Sequence, residues 1–253
     1  MLWAAAVGPE APTQSQLVEV KRELTHVREG TGFDRSLFRG GLQARLDADF
    51  ERQLARVRDR LAAPGEAPTE RAAPRGTTHI SVVDADGNAA SLTVSTGAGS
   101  GVVVPGTGVQ LNNMLGEFEL ARDPAPGRRL SSMMSPSLVL GDAGPRLVVG
   151  SAGSLRLRGA VLQVTVNAIG HGMDVGDAIE RPRVHCQGAI VHCEGGHDAA
   201  QLDRLEARGY ELARWDRQNL FFGGVSAVER REDGTLAAAG DPRRGGAGVV
   251  VSP

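Results

Sequence analysis

The sequence predicts an α+β domain in which antiparallel strands are layered with helices. Three observations lead to this fold class. Strand-like runs are joined by tight turns at Asp86-Gly87 and Asp233-Gly234, and such turns are typical of β-hairpins. Other segments carry apolar residues at helical spacing. A stretch rich in Pro, Gly and Ala interrupts both patterns and separates a helical beginning from a strand-rich remainder.

The N-terminal part is predicted to form two helices and a linker. Residues 14–29 and 42–62 place apolar side chains at helical spacing among Arg, Asp and Glu, which is typical of amphipathic helices. Residues 63–76, rich in Pro, Gly, Glu and Ala, can bury little apolar surface, so we expect a mobile linker there. We therefore place a domain boundary between residues 1–76 and residues 77–253.

The remaining residues alternate strands with helices. A hairpin is expected where residues 79–83 lead through the turn at 84–88 into residues 89–95, and this places Thr77 at the head of the first strand. The other expected strands and hairpins cover 137–140, 146–149, 183–194 and 226–238, and the expected helices cover 160–169, closed by Gly170 or Gly172, and 199–208.

Charge and composition exclude several functional classes. The 253 residues carry a formal net charge of −2, and the charges are interspersed, so there is no electrostatic footprint for nucleic acid. A small metabolite or peptide is the expected partner. The first seven residues are apolar but lack a basic region and are too short for a signal peptide or a membrane helix. The chain as written is expected in the cytoplasm with no membrane partner, unless its true start lies upstream.

Two features suggest a metal or a phosphate, and neither fits well. His185-Cys186 and His192-Cys193 repeat a pair of ligand types, but on alternating strands this spacing does not bring four ligands together. The Gly-rich residues 97–108 lack the Gly-Lys-Ser/Thr ending of a phosphate-binding loop. We predict no metal and no cofactor, and we expect both cysteines to be free thiols.

The junction between Gly76 and Thr77 has residue types suited to amide chemistry. A hydroxyl that attacks an amide requires a base to take its proton and donors for the oxyanion. A threonine made N-terminal by cleavage combines the nucleophile and the base in one residue. A Gly-Thr-Thr sequence before a strand is more often simply a polar strand start, so the residues alone leave both interpretations open.

A longer run around Thr77 is similar to a known enzyme family. Thr77-Thr78-His79-Ile80-Ser81-Val82-Val83-Asp84, followed by Asp86-Gly87-Asn88-Ala89, resembles the small-chain start of the γ-glutamyltransferases. Further blocks follow in family order with family-like gaps. These blocks are Gly99-Ser100-Gly101, Pro105-Gly106-Thr107-Gly108, Leu111-Asn112-Asn113, Leu130-Ser131-Ser132-Met133, Ser135-Pro136, Gly150-Ser151-Ala152-Gly153-Ser154, Arg181-Pro182-Arg183 and Gly240-Asp241-Pro242-Arg243.

The resemblance implies an N-terminal-nucleophile hydrolase, a four-layer αββα sandwich whose precursor cleaves itself between Gly76 and Thr77. The freed Thr77 hydroxyl would attack a γ-glutamyl amide, with its own α-amino group as the base. By the same resemblance Ser95 hydrogen-bonds the nucleophile, and the backbone N–H groups of Gly153 and Ser154 form the oxyanion hole. These four residues are the candidate catalytic set.

The resemblance also implies a substrate-binding set. Ser131 and Ser132 match a pair that holds the substrate α-carboxylate, and Glu117 stands where the family commonly has an Asp that pairs with the α-amino group. On the residues alone, Ser131-Ser132 is also a plain turn, Ser95 a strand-end hydroxyl and 150–154 a helix-initiating loop.

Three departures from the family pattern concern specificity. Met114 replaces a polar residue that assists the substrate ammonium, and Gly97 replaces an expected Asn beside a two-residue deletion. The segment 119–130 is shorter than the family loop that covers the glutamyl pocket. We therefore expect weakened recognition of a free glutamyl end and a pocket open to larger substrates.

The family's large chain is much longer than residues 1–76, which resemble only its helical tail. No residue among them matches the Arg that clamps the substrate carboxylate. Because strands of both chains build the two sheets, residues 77–253 alone are expected to leave apolar sheet surface uncovered. We expect the chain to need a large-chain segment or an oligomer.

The function implied by the resemblance is that of a γ-glutamyl transferase or hydrolase acting on glutathione-like γ-glutamyl amides. One alternative is an acylase of glutaryl or cephalosporin-type amides, which Met114, Gly97 and the short 119–130 segment would permit. The other is an inactive, truncated fragment that requires a partner chain.

Overall fold

The chain divides into two compact units, and each unit is built from segments that are not contiguous in the sequence. The computed structural model describes residues 13, 16–20, 22, 52, 55, 56, 58, 59, 76–116, 127 and 132–251. One unit comprises Met1–Glu70, Ile169–His171 and Pro182–Gln218, and the other comprises Arg71–Ala168, Gly172–Arg181 and Asn219–Pro253. We call the second the Thr77 unit and the first the Tyr210 unit.

The elements follow one another in a mixed order of strands and helices. The strands are β1 (Gly76–Val83), β2 (Ala89–Gly97), β3 (Ser137–Gly141), β4 (Gly144–Ala152), β5 (Val184–Gln187), β6 (Ile190–Cys193), β7 (Glu211–Arg214), β8 (Gly224–Arg230) and β9 (Leu236–Gly240). The α-helices are α1 (Leu157–Thr165), which continues as a π-turn over Val166–Gly170, α2 (Val175–Glu180) and α3 (Ala199–Ala207). Single 3-10 turns lie at Met114–Gly116, Ser154–Arg156, Leu220–Phe222 and Pro242–Arg244.

In the Thr77 unit, strands β1 and β2 form an antiparallel hairpin. The Asp84 side chain shapes its turn, because Oδ1 accepts hydrogen bonds from the backbone N–H groups of Asp86 at 3.0 Å and Asn88 at 2.8 Å. Side-chain acceptors of this kind replace backbone pairing in tight turns. The hairpin predicted from the Asp-Gly signal is therefore confirmed.

The hairpin packs on a four-stranded antiparallel sheet of order β3-β4-β8-β9. Hydroxyl groups of the hairpin donate directly to the backbone of this sheet. Ser91 Oγ donates to the Val149 carbonyl at 3.1 Å, and Ser81 Oγ donates to the Ser226 carbonyl at 3.1 Å. Helix α1 packs on β4 and β8, and β4 is buried from Leu147 to Ala152.

Helix α2 is fixed at both ends by side chains. Asp174 Oδ1 accepts from the Gly176 N–H at 2.9 Å and caps the first turn. At the other end the buried guanidinium of Arg243 donates to the carbonyls of Ile179 at 2.9 Å and Arg181 at 3.0 Å, and Asp241 accompanies it at 3.2 Å. The Gly240–Arg243 block therefore has a structural role, since it satisfies the last carbonyls of α2.

The Tyr210 unit contains the sheet β5-β6-β7, in which β6 pairs antiparallel with β5 and parallel with β7. Val18 of the helical residues 16–20 belongs to its core. The carboxylate of buried Glu19 accepts a hydrogen bond from the Tyr210 hydroxyl, and the Arg22 guanidinium lies 4.9 Å from the centre of the Tyr210 ring. The other buried core members are Val184, Val191, Cys193, Leu202 and Leu205.

Most element predictions agree with the structure, and four differ. Gly76 belongs to β1 rather than to the linker, and α1 begins at Leu157, earlier than the predicted start. Helix α2 and strand β7 had not been predicted. The rest of the predicted linker lies outside the described residues, as does most of the two predicted N-terminal helices, which are helical at their described positions apart from the non-helical Thr13 just before them.

The predicted α+β class is confirmed by this mixture of helices with antiparallel sheets. Within the described part of the chain, every helix is too short or too polar to span a bilayer.

Candidate active site

Thr77 and Ser95 face each other at the open end of the β1–β2 hairpin. They are register partners, and a register shift falls between Gly76 and Thr77. Thr77 Oγ1 lies 2.9 Å from Ser95 Oγ. Ser95 Oγ also donates to the Gly76 carbonyl at 3.1 Å and accepts from the Gly97 N–H at 3.0 Å.

These contacts determine the direction of each hydrogen bond at Ser95. A hydroxyl has one proton to donate and two lone pairs that accept. Because the Ser95 proton points to the Gly76 carbonyl, the Thr77 hydroxyl must be the donor in the Thr77–Ser95 contact. The lone pairs of Thr77 Oγ1 therefore take no part in the contact with Ser95. The Ser95 hydroxyl in turn polarises the Gly76 carbonyl.

Asn113 positions the turn that follows β2. The side-chain Oδ1 of Asn113 accepts hydrogen bonds from the backbone N–H groups of Ala98 at 2.8 Å and Gly99 at 3.1 Å. The backbone N–H of Asn113 donates to the Thr96 carbonyl at 3.2 Å. Gly97, which donates to Ser95, begins this turn with φ of 64°. In the sequence Asn113 is marked only by the family resemblance, and no local signal distinguishes it from Asn112.

Gly153 and Ser154 form a sharp bend after β4, where Gly153 precedes the 3-10 turn that leads into α1 and Ser154 is its first residue. Gly153 has φ of 137°, and a Cβ there would lie 2.7 Å from the Cα of Gly223. Ser154 has φ of 56°, a left-handed conformation that costs a non-glycine residue about 1 kcal/mol or more. Strain of this kind is concentrated at functional sites. Gly223, which sequence reasoning missed, sets the close approach.

The predicted substrate-binding residues are only partly within the described residues. Glu117 and Ser131 lie outside them. Ser132 is exposed, and its Oγ accepts from the Met134 N–H at 3.0 Å. The intervening Met133 is buried in a cluster with Leu155 and Leu157, which lie one and three residues after Ser154. The residue next to Ser132 is therefore packed against the segment that follows the Gly153–Ser154 loop.

The strand pair with the repeated His-Cys motif has other contacts. The rings of His185 and His192 stack with centroids 6.5 Å apart, and Trp215 Nε1 donates to His192 Nδ1 at 3.3 Å. Burial raises the pKa of the Cys193 thiol to about 12, so this cysteine is protonated at neutral pH. The part of the chain that the structure describes holds no group of three or more potential ligands arranged for a metal ion.

Comparison with known proteins identifies the family to which this chain belongs. The structure combines an α+β fold with a threonine near the start of a strand, whose hydroxyl lies 2.9 Å from that of Ser95, and this combination is the one expected of an N-terminal-nucleophile hydrolase. The model of the gamma-glutamyltranspeptidase family matches residues 17–251. The chain belongs to the gamma-glutamyltranspeptidase family, and the predicted N-terminal-nucleophile hydrolase fold is confirmed.

Two similar curated proteins illustrate the relationship. The acylase ACY 1 proenzyme of Pseudomonas sp. strain SE83 is 35% identical over 182 residues, which are 70% of this chain and 32% of that protein. The glutathione hydrolase proenzyme of Escherichia coli strain K12 is 35% identical over 185 residues, which are 66% of this chain and 31% of that protein. The chain thus spans about a third of the length of these two relatives.

A solved structure gives a different coverage. The gamma-glutamyltranspeptidase from Pseudomonas nitroreducens complexed with L-DON matches with a TM-score of 0.60 and 32% identity. The match covers 69% of this chain and 100% of the matched chain. The matched part of this protein therefore corresponds to a whole, separate chain in that enzyme.

Proposed function

We propose that this chain contains the catalytic small-chain part of a γ-glutamyl transferase or hydrolase that acts on glutathione-like γ-glutamyl amides. The observation that supports this most strongly is the contact of one hydroxyl, Ser95, with both Thr77 and the Gly76 carbonyl. Family membership supports amide chemistry of this kind, and the contact supports cleavage at Gly76–Thr77 because it brings two hydroxyls and the Gly76 carbonyl together.

Self-cleavage would begin with attack of Thr77 Oγ1 on the Gly76 carbonyl carbon. The hydroxyl proton passes to the Thr77 nitrogen as the Gly76–Thr77 amide C–N bond breaks, so that an ester joins Gly76 to Thr77 Oγ1. The Ser95 hydroxyl stabilises the negative charge that develops on the Gly76 oxygen. Water then hydrolyses the ester, which frees the Thr77 hydroxyl and α-amino group.

The freed Thr77 would then act on the substrate. Its α-amino group takes the proton of Oγ1 as that oxygen attacks the γ-glutamyl carbonyl, and the N–H groups of Gly153 and Ser154 bind the oxyanion. The amine product leaves with the proton, and water or an acceptor amine releases the γ-glutamyl group from Thr77. Ser131 and Ser132 hold the substrate carboxylate, and Glu117 pairs with its ammonium.

A second candidate is an acylase of glutaryl or cephalosporin-type amides. It is favoured by the acylase relative at 35% identity and by Met114 and Gly97, which replace polar residues expected around the substrate ammonium. Turnover of a γ-glutamyl anilide compared with a glutaryl amide separates the two, because only the first donor carries an ammonium group.

The proposed enzyme also requires a further sheet layer. Four of the outward side chains of β1 and β2 are apolar and about half exposed, and they are Ile80, Val82, Leu92 and Val94. Exposed apolar patches of this kind mark interaction surfaces. We propose that a large-chain segment covers this face, or a second copy of the chain if no such segment is present.

Self-cleavage is the test of this proposal. Intact mass after prolonged incubation of the full chain should show two products, residues 1–76 and residues 77–253. Thr77→Ala should abolish cleavage, whereas Thr78→Ala, the exposed neighbour on the opposite face of β1, should cleave like the parent. A folded parent that keeps a single mass would refute the proposal, and so would cleavage of the Thr77→Ala variant.

A further inference from the structure

A buried histidine lies between the hairpin and the four-stranded sheet. His79 follows Thr77 by two residues in β1, so the two side chains lie on the same face of the strand. The His79 side chain is on the inner face of the hairpin and is 8% exposed. Hydroxyls occupy both ring nitrogens, because Nδ1 lies 2.7 Å from Thr93 Oγ1 and Nε2 lies 2.9 Å from Ser81 Oγ.

The His79 ring lies directly against the backbone of Gly150 in β4. A Cβ on Gly150 would lie 2.6 Å from Nε2 and still closer to Cε1 and Nδ1, which is nearer than side-chain atoms ever approach. Gly150 does not have a left-handed φ, so backbone conformation does not require glycine there. Glycine inside a strand weakens it and often marks a close approach of another group. The need to make room for the His79 ring therefore explains why position 150 is a glycine.

This contact connects the two halves of the active site. His79 is two residues beyond the nucleophile Thr77, and Gly150 is three residues before Gly153 of the predicted oxyanion hole. The ring therefore sets how closely β1 approaches β4. A displacement of about 1 Å between reacting groups can cost roughly a hundred-fold in rate, so this spacing is significant for chemistry.

We propose that His79 is a positioning residue, whose ring on Gly150 fixes the position of β1 and with it the alignment of Thr77 with the Gly76 carbonyl, Ser95 and the Gly153–Ser154 loop. This role rests on the proposed function, since it concerns the same nucleophile. His79 acts through its shape and its two hydrogen bonds. Burial lowers its pKa to about 4, so the ring is neutral at neutral pH, and a neutral ring with one donor and one acceptor suits two hydroxyl partners.

A double-mutant cycle tests the contact. Gly150→Ala should slow self-cleavage by roughly ten- to a hundred-fold, because the new Cβ and the ring cannot both keep their places. Gly141→Ala is the matched control, since a Cβ there meets its nearest atom at 3.9 Å, and it should cleave at the parental rate. His79→Ala should also slow cleavage, and the double variant should be no slower than His79→Ala, because without the ring Gly150→Ala has nothing to displace.

Two further outcomes keep the proposal falsifiable. If Gly150→Ala does not fold, the double variant, which lacks the ring, should still fold and cleave at the His79→Ala rate. His79→Asn, which keeps a hydrogen-bonding group near Thr93, should retain more of the cleavage rate than His79→Leu at an equal thermal unfolding midpoint. Multiplying effects in the double variant, parental cleavage by Gly150→Ala or cleavage rates that simply follow the unfolding midpoints would overturn the positioning role.

Failure of the proposed function gives a different result. A folded parent that never cleaves refutes the function and the positioning role together. A parent that cleaves, with additive His79 and Gly150 effects, leaves the function standing and refutes the positioning role alone.

Discussion

The two faces of the β1–β2 hairpin differ in a way that reverses the common pattern of antiparallel sheets. Such sheets usually place apolar residues toward the core and polar residues toward solvent. Here the face that packs on β4 and β8 carries His79, Ser81, Ser91 and Thr93, while Ile80 and its neighbours point outward and are about half exposed.

The two faces therefore have different roles: the polar face fixes the position of the hairpin, and the apolar face favours association with another layer. The polar face is satisfied by directed hydrogen bonds, such as Ser81 to the Ser226 carbonyl and Ser91 to the Val149 carbonyl, and directed bonds fix one geometry. Apolar burial is non-directional, so the outer face favours contact with another layer but does not determine the position of a catalytic atom. The candidate active site accordingly lies at the end of the polar face.

The largest expected effect concerns the polar face at Ser95. Ser95→Ala removes the hydroxyl that donates to the Gly76 carbonyl, and loss of one oxyanion donor costs roughly a hundred-fold in rate or more. Self-cleavage followed by intact mass should slow accordingly, while Ser95→Thr should retain most of the rate. Val94→Ala, the adjacent residue on the outer face, should cleave normally. Equal rates for Ser95→Ala and the parent would remove the distinction between the two faces.

A pH effect is expected from His79 on the same polar face. Burial lowers its pKa from 6.5 to about 4, so the unfolded chain binds a proton near pH 6.5 while the folded chain does not until about pH 4. The contribution of this group to the free energy of unfolding is therefore complete above about pH 6.5 and is lost as the pH falls toward 4. The groups that contact the ring, Ser81, Thr93 and Gly150, carry no charge.

Urea unfolding between pH 7.5 and 4.5 measures this contribution. The chosen pH limits bracket roughly the window between the two pKa values. The parent should lose more stability across the window than His79→Gln, whose side chain does not titrate. Parallel pH profiles for the two proteins would show that His79 is not held neutral by burial.

Sequence reasoning located the hairpin and its polar end well because both depend on local signals. The Asp-Gly turn and the alternation of residues 79–83 and 89–95 determine the strands, and the pairing of Thr77 with Ser95 follows from that register. The family resemblance then indicated which hydroxyl pair to consider.

The roles that the sequence did not reveal belong to residues that act through contacts distant in the chain. Gly150 makes room for His79, Gly223 lies against Gly153, and Asn113 holds the turn after β2. A glycine that provides room for a remote ring looks the same in sequence as one in a flexible loop. Strand β7 was missed because its parallel partner β6 is joined to it only through helix α3.

A smaller effect is expected from the hydroxyl at the middle of the polar face. Ser91→Ala removes the hydrogen bond to the Val149 carbonyl, and a typical loss of this kind is about 1 kcal/mol of unfolding free energy. Urea unfolding at neutral pH measures it. Cleavage should remain close to the parental rate, because Ser91 is far along β2 from Ser95. A stability equal to that of the parent would mean that the hydroxyl layer holds the hairpin less firmly than its geometry indicates.

The smallest effect on folding stability, and a large effect on association, is expected from the outer face. Ile80 and Leu92 are cross-strand partners, each about half exposed, and a pair of this kind contributes about 0.2–1 kcal/mol. Replacing both by Thr keeps a strand-favouring residue and removes the exposed apolar surface. We expect the parent to form oligomers whose size increases with concentration in size-exclusion chromatography, and the double variant to shift toward monomer.

Val249→Thr with Val251→Thr is the matched control, since these side chains are more exposed but lie outside the strands, so that their replacement should leave the oligomers unchanged. A parent that is monomeric at all concentrations, or oligomers that persist in the Ile80→Thr, Leu92→Thr variant, would show that this face does not need a covering layer. The outer face would then differ from the polar face only in composition and not in role.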